Sequence, residues 1–191
     1  MSQLHVVDQP GGARKQITFF DEPVGSMSRQ PDGTLIAFTM DVGGSEHAQI
    51  LLLNPENGSS TMLSDGNSRH GSPLWDKTGE HIAFMSNRRN GASNDVWTMP
   101  IDNPNQAEMV LESPDGTWWG PIDWSNDGKH LLIQNYISIT NSKVYLVDLE
   151  TKDKTLILGN LAEPSVNSGL AFDATNTAVS YTHLTLPTTP Y

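Results

Sequence analysis

Cysteine is absent from the 191 residues. That excludes disulfides and thiolate chemistry, and it fits a cytoplasmic or a periplasmic compartment equally. Positive charge is scarce: 11 Lys and Arg stand against 22 Asp and Glu, for a net charge of -11. So acidic a chain is repelled by phosphate backbones and anionic bilayers, which argues against nucleic acid or a membrane surface as partner. No apolar run is long enough to cross a bilayer. Met1–Thr18 lacks the charged start, apolar core and cleavage site of a signal peptide. No segment of ten or more residues has a helical period. Turn chemistry, by contrast, is plentiful. Sixteen Gly, twelve Pro and many Asn/Asp/Ser clusters give the composition of an all-β chain.

That turn chemistry repeats. Ser28–Phe38, Ser72–Phe84 and Ile122–Gln134 each read as an apolar strand, a polar turn closed by glycine, and a second apolar strand. Their glycines, Gly33, Gly79 and Gly128, stand 46 and 49 residues apart. A period of about 40–50 residues with four strands per repeat predicts a β-propeller of four-stranded antiparallel blades. The first repeat has strands Val24–Arg29, Leu35–Met40, Gln49–Asn54 and Ser60–Leu63. The second has Ser72–Trp75, His81–Ser86, Asp95–Met99 and Ala107–Leu111. The third has Gly120–Trp124, His130–Gln134, Lys143–Asp148 and Lys154–Leu158. A fourth opens at Ser168–Phe172, and Gln3–Asp8 with Ala13–Thr18 forms the outer half of a further blade. Trp75 and Trp124 stand four positions before their turn glycines. Phe172 takes that slot if Asn176 replaces the glycine, whereas the first repeat has Arg29 there. About three and a half blades leave two blade faces uncovered, which predicts marginal stability or aggregation.

The chain divides in two. Residues 1–178 form the partial propeller, and residues 179–191 break the composition, with no acidic side chain. Val179–Thr188 reads Val-Ser-Tyr-Thr-His-Leu-Thr-Leu-Pro-Thr. This is the translation of GTC TCT TAT ACA CAT CTG ACG CTG CCG ACG, a transposon-end adaptor of sequencing libraries. The segment is therefore expected to be adaptor read-through, with the natural protein continuing past about Ala178. Val179-Ser180-Tyr181 fits the second-strand pattern by coincidence, so a strand is expected there as well.

No catalytic, cofactor-binding or metal-binding residue is assigned, and no cofactor is expected. A nucleophile elbow needs Gly-x-Ser-x-Gly between a strand and a helix. Gly66-Asn67-Ser68-Arg69-His70-Gly71 places its second glycine one position too far and has no helix to follow. Ser68 and His70 read as a polar connection between blades. His81 and His130 share one repeat slot, while His5 and His47 are solitary, so no zinc spacing exists. Asp32-Gly33 and Asp127-Gly128 are turn formers without the oxygen ladder of a calcium loop. Asn57-Gly58-Ser59 matches a glycosylation triplet but sits where a turn is expected. Trp118-Trp119 is a candidate lining of the central channel or of an interface, against ordinary packing. Arg88-Arg89 is read as a solvated loop, the alternative being an ion pair to a neighbouring domain.

The repeated pattern includes Trp124-Ser125-Asn126-Asp127-Gly128-Lys129, Ile82-Ala83-Phe84 and Val144-Tyr145-Leu146-Val147-Asp148. It resembles the propellers of two families, the TolB translocation protein and the amino-terminal domain of prolyl oligopeptidase family serine peptidases. Gln3–Phe172 fits the peptidases better, through its uneven spacing and the run Ile133–Ser142 before Lys143-Val144-Tyr145-Leu146. The resemblance implies a gate and scaffold over an α/β-hydrolase domain that cleaves short peptides and lies outside this chain. No triad residue transfers. That missing hydrolase domain and short peptide substrates are thus the partners it implies, while a TolB-like propeller implies a periplasmic protein partner.

Overall fold

A computed structural model describes residues 1–184; residues 185–191 of the expected adaptor segment lie outside the described residues. The architecture is all-β. The first sheet is a two-stranded hairpin, β1 (His5–Val6) and β2 (Lys15–Gln16). The second is β3 (Val24–Arg29), β4 (Ile36–Met40), β5 (Gln49–Leu53) and β6 (Ser60–Met62). The third is β7 (His70–Trp75), β8 (His81–Ser86), β9 (Asp95–Pro100) and β10 (Glu108–Leu111). The fourth is β11 (Trp118–Trp124), β12 (His130–Ser138), β13 (Asn141–Asp148) and β14 (Lys154–Leu158). The last pairs β15 (Val166–Phe172) with β16 (Val179–Leu184). Every strand pairs antiparallel with its sequence neighbour, the meander expected of propeller blades.

The expected strands all form, Val24–Arg29, His81–Ser86 and Lys154–Leu158 with the expected bounds and the others with ends shifted by one to four residues. Among the described residues the one departure toward helix is a single 3-10 turn at Pro104–Gln106, which fills the connection from β9 to β10. The hairpin β1–β2 is shorter than its sequence pattern because side chains take over its ladder. Leu4 N–H donates to Thr18 Oγ1 at 2.9 Å, and Gln3 bonds the Phe20 and Glu22 carbonyls. The run Ile133–Ser142 folds as a hairpin with one register shift between Tyr136 and Ser138. Its strands β12 and β13 stay paired out to Ser138 and Asn141.

Side-chain alternation sends each strand's residues into two different cores. In β4, Ile36 and Phe38 face the amino-terminal hairpin with Leu4, Ile17 and Phe20, while Ala37 faces the next blade. That second core holds Ala37, Ile50, Trp75, Ile82, Phe84 and Met99. The third core, between blades two and three, gathers Ala83, Val96, Trp124, Leu131, Ile133 and Val147. Both faces of a central strand are thereby buried, which is why β4 is apolar or buried throughout. Each fully buried side chain of this kind contributes roughly 1.5–3 kcal/mol relative to exposure.

The tryptophan slot joins one blade to the blade before it. Trp75 Nε1 donates to the Ser28 carbonyl at 3.0 Å, and Trp124 Nε1 donates to the Leu74 carbonyl at 3.2 Å. The small middle residue of the preceding blade's second strand shares the tryptophan's core: Ala37 with Trp75, Ala83 with Trp124. At the next junction Leu132 stands where alanine stood and Phe172 where tryptophan stood, a larger residue matched to a smaller ring. Phe172 has no indole N–H; its backbone N–H donates to Asp123 Oδ2 at 2.9 Å instead.

The turns hold their register too. Gly33, Gly79 and Gly128 have φ of 80°, 76° and 69°, and Asn176 takes the same left-handed conformation at 61°. Asparagine is the non-glycine residue best suited to that region. Each of these residues donates its N–H to a carbonyl three residues back, at Gln30, Asp76, Ser125 and Asp173. Every innermost strand also carries a bulge, at Gly25-Ser26, Ser72-Pro73, Ile122 and Leu170. Pro73 costs no ladder bond there, because a bulge leaves residues unpaired.

The size matching between blades is open to test. Trp124→Phe should cost about 1 kcal/mol through the lost indole hydrogen bond, and Ala83→Leu about 1–3 kcal/mol through overpacking. Combined, they should cost less than the sum, because Leu132 and Phe172 hold the two matching slots at the next junction. A double-mutant cycle from urea denaturation reads the coupling; strict additivity would refute it.

Candidate functional site

A meander of antiparallel strands places its connections on two rims. The loops after each second strand and after each fourth strand share one of them, and there the sequence candidates meet. Asp65, in the connection from β6 to β7, is the hub. Its Oδ1 accepts the N–H groups of Asn67 (3.0 Å) and Ser68 (2.8 Å), and lies 3.1 Å from His70 Nε2. Its Oδ2 accepts the Ser68 hydroxyl at 2.8 Å and lies 3.8 Å from Arg88 Nε. Burial raises the Asp65 carboxyl, but these hydrogen bonds outweigh it and hold the group far below the usual carboxylate range.

This geometry decides what Ser68 and His70 can do. In a serine nucleophile system the imidazole lies between hydroxyl and carboxylate, so that it takes the hydroxyl proton. Here the carboxylate lies between them. Ser68 donates to an acceptor that will not become a general base at neutral pH, and the trio ties the loop to the blade. His70 itself is buried, with 2% exposure, and packs against Phe84 at a centroid distance of 5.8 Å. Its Nδ1 has no partner among the described residues. The neutral Nε2–H tautomer satisfies the ring best, since a second proton would add a buried donor with nowhere to point. Burial therefore pushes the His70 pKa below 6.5, against the opposing pull of Asp65.

The Arg88-Arg89 loop is exposed, as expected, but both arginines have partners within the domain. Arg89 Nε and Nη2 grip Asp95 at 2.8 and 3.1 Å, and Nη1 reaches Glu112 at 3.0 Å. Asp95 is fully buried and also accepts the Ser113 N–H at 2.8 Å. The fork closes the β8–β9 connection over the entry to β11. Arg88 lies over the Trp97 ring at 5.0 Å. Both arginines are used within the domain.

The two adjacent tryptophans part company, as neighbours on a strand must. Trp119 points into the core, 2% exposed, with Tyr145 at 5.1 Å, Lys154 Nζ over its ring at 4.7 Å and its indole N–H on Asp115. Trp118 turns to the other face, pairs in register with the half-exposed Tyr136, and lies over Gly120. A Cβ at Gly120 would come within 2.4 Å of that indole, so glycine is what seats it. Trp119 is ordinary packing; Trp118 keeps a partly exposed aromatic face at the rim.

The remaining histidines and aspartates do local work. His81 Nδ1 is 3.2 Å from Asp76, and His130 Nε2 is 3.7 Å from Asp148. Asp32 and Asp127 accept the N–H groups of Thr34 and Lys129, two residues on, as turn formers do. His47 Nδ1 contacts the Asn67 carbonyl at 2.6 Å. Sequence reasoning missed two residues that link blades. Asp123 pairs with Lys77 of the preceding blade while accepting Phe172 N–H from the following one. Asn126 bonds Asp173 and Asn176 across the next turn. Their positions in the repeat gave no signal, because the other blades have different residues there.

A family model described as prolyl oligopeptidase, N-terminal β-propeller domain, matches residues 19–181. No curated protein matches the chain in sequence. Among solved structures, TolB from Acinetobacter baumannii superposes with a TM-score of 0.72 at 16% identity, covering 94% of this chain and 42% of that one. A prolyl endopeptidase superposes with a TM-score of 0.67 at 16% identity, covering 89% of this chain and 28% of that one. An acylaminoacyl peptidase bound to Z-Gly-Gly-Phe-chloromethyl ketone gives 0.54 at 18% identity, covering 78% and 26%. At these identities the superpositions establish the propeller fold, and the chain spans less than half of each of these three structures.

His70 and Asp65 make stability fall in two stages on acidification. The folded His70 pKa lies below 6.5, so the unfolded chain takes up that proton first. Its contribution is complete above about pH 6.5 and is lost as pH falls through the folded value. The Asp65 contribution is present above about 3.8 and is lost on further acidification. Urea midpoints should therefore decline from pH 7 to pH 5, and His70→Gln should flatten that decline. An unchanged slope in the variant would remove His70 as its cause.

Proposed function

Because the chain belongs to the prolyl oligopeptidase N-terminal β-propeller domain family, we propose that it is the gating and scaffold module of a serine peptidase. In this reading an α/β-hydrolase domain elsewhere in the same protein cleaves short peptides, and the propeller limits what reaches it. The observation that carries the reading is the continuous family match over residues 19–181, in a domain described as amino-terminal. The local chemistry supports it. The described residues that come nearest to a nucleophile system, Ser68, Asp65 and His70, are in an order that cannot relay a proton from serine to histidine. Their role is to fix a loop, and a module of that kind contributes shape and access while the reaction is done elsewhere.

A second reading has the propeller as a TolB-like interaction module with a periplasmic protein on its face. It is favoured by the higher TM-score and by the 94% coverage of this chain in the TolB superposition. The two readings differ in what surrounds the domain. A peptidase continues into further blades, then Gly-x-Ser-x-Gly between strand and helix, then Asp and His. A TolB-like protein has a secretion signal upstream and ends soon after a sixth blade.

Reading the genomic locus across both ends of this sequence decides between them. The expected result is a hydrolase domain downstream, with genomic codons that diverge from Val179 onward as an adaptor origin requires. A frame that closes without a nucleophile elbow would overturn the peptidase reading. Purified chain should leave a chromogenic dipeptide substrate intact, and hydrolysis by it would overturn the division of labour.

A further inference from the structure

The rim opposite the Asp65 loop is unlike it in charge. Its turns, residues 30–35, 54–59, 76–80, 101–108, 125–129, 148–153 and 173–178, carry eleven Asp and Glu against three Lys. The loops of the other rim, residues 41–48, 63–69, 87–94, 112–117 and 159–165, carry six against three Arg. Most of the net negative charge therefore lies on one rim. On that rim a groove of about 860 Å³ runs between the second and third blades. Its apolar lining is Pro100, Ala107, Val110, Trp124 and Leu149, all buried or half-buried. The exposed carboxylates Glu80 and Glu108 stand on the same groove.

These carboxylates differ from the third acidic residue, Asp76, whose oxygens are occupied by Thr78, His81 and the turn amides. Glu108 has one ionic neighbour, Lys152 of the third blade, at 3.9 Å and with both side chains substantially exposed. So long and solvated a pair contributes little to stability. It does show that an ammonium reaches the groove and is accepted there. Lys152 holds the left-handed turn position, φ 64°, that Gly58 holds in the first blade at 73°. Both donate N–H to a carbonyl four residues back, Asp148 and Asn54, so the turns are equivalent and glycine fits the Lys152 site.

We propose that this groove is a docking site for a basic, extended polypeptide segment. Apolar side chains of that segment would lie on Val110, Trp124 and Leu149, and its lysine or arginine groups on Glu80 and Glu108. The choice of partner rests on charge complementarity: two exposed carboxylates, an acidic rim around them, and a net charge of -11 that draws cationic chains from a distance. The volume falls within the range of pockets that bury small ligands, enough for a few side chains. This inference is independent of the peptidase reading.

The test is fluorescence anisotropy of a labelled short peptide alternating lysine and leucine, titrated with the purified chain. Saturable binding is expected, weakening about tenfold between about 50 and 300 mM salt. The counterpart alternating glutamate and leucine should not bind. Glu80→Gln with Glu108→Gln should weaken the lysine peptide about tenfold, and Lys152→Gly should tighten it about threefold by freeing Glu108. Asp32→Asn with Glu56→Gln makes the same charge change on the first blade, away from the groove, and should leave affinity within about twofold. Circular dichroism of each variant checks that the blades persist. Absence of saturable binding would overturn the proposal. So would equal binding of the glutamate peptide, or a loss in the first-blade control as large as in the groove pair.

Discussion

A four-stranded blade has two apolar faces and no interior of its own. Everything else in this structure follows from that constraint, because a blade is stable only where another covers it. Ala37 and Phe38 are neighbours in one strand yet belong to two different cores, and Ala83 and Phe84 repeat the division. The tryptophan slot adds direction to the packing: each indole reaches back to the preceding blade's innermost strand and bonds a backbone carbonyl. Where tryptophan gives way to Phe172, the matching slot grows from alanine to Leu132, and Asp123 supplies the polar link that the ring cannot.

The same constraint separates the two rims. Loops that cross from blade to blade must satisfy their polar groups without a ladder, and on one rim they do so with side chains. Asp65 gathers four donors, Asp95 takes Arg89 and the Ser113 amide, and Asn87 closes its own loop on Gly91. Charges spent in this way hold the scaffold and are not free for partners. The opposite rim consists of tight turns that satisfy themselves through backbone bonds and turn aspartates, which leaves carboxylates such as Glu80 and Glu108 in solvent. On the first rim the carboxylate between Ser68 and His70 keeps serine from passing its proton to histidine, and the trio fixes the loop. The charge of the second rim recommends it for recognition.

Much of the fold was legible because its signals are local and repeated. The spacing of Gly33, Gly79 and Gly128 set the blade, and the alternation in Ile82-Ala83-Phe84 set its two faces. Asn176 was readable as a glycine substitute and does take the left-handed turn. The innermost-strand bulges were less legible, although Pro73 and Pro121 within strand patterns hinted that a ladder bond was missing. The arginine pair was legible as an exposed loop but its partner was not, because nothing local to Arg88-Arg89 announces a fully buried Asp95 six residues after Arg89.

By itself the sequence determined the repeat, the strand order and the all-β class, because period and turn chemistry are properties of neighbouring residues. It also suggested the family, through motifs that recur in every blade. Tertiary structure alone decided which side chains are spent and which are free. Trp119 is buried while Trp118 is not, Asp65 stands between Ser68 and His70, and Glu80 and Glu108 share a groove. Those outcomes depend on residues from different blades, brought together only when each blade must cover the last.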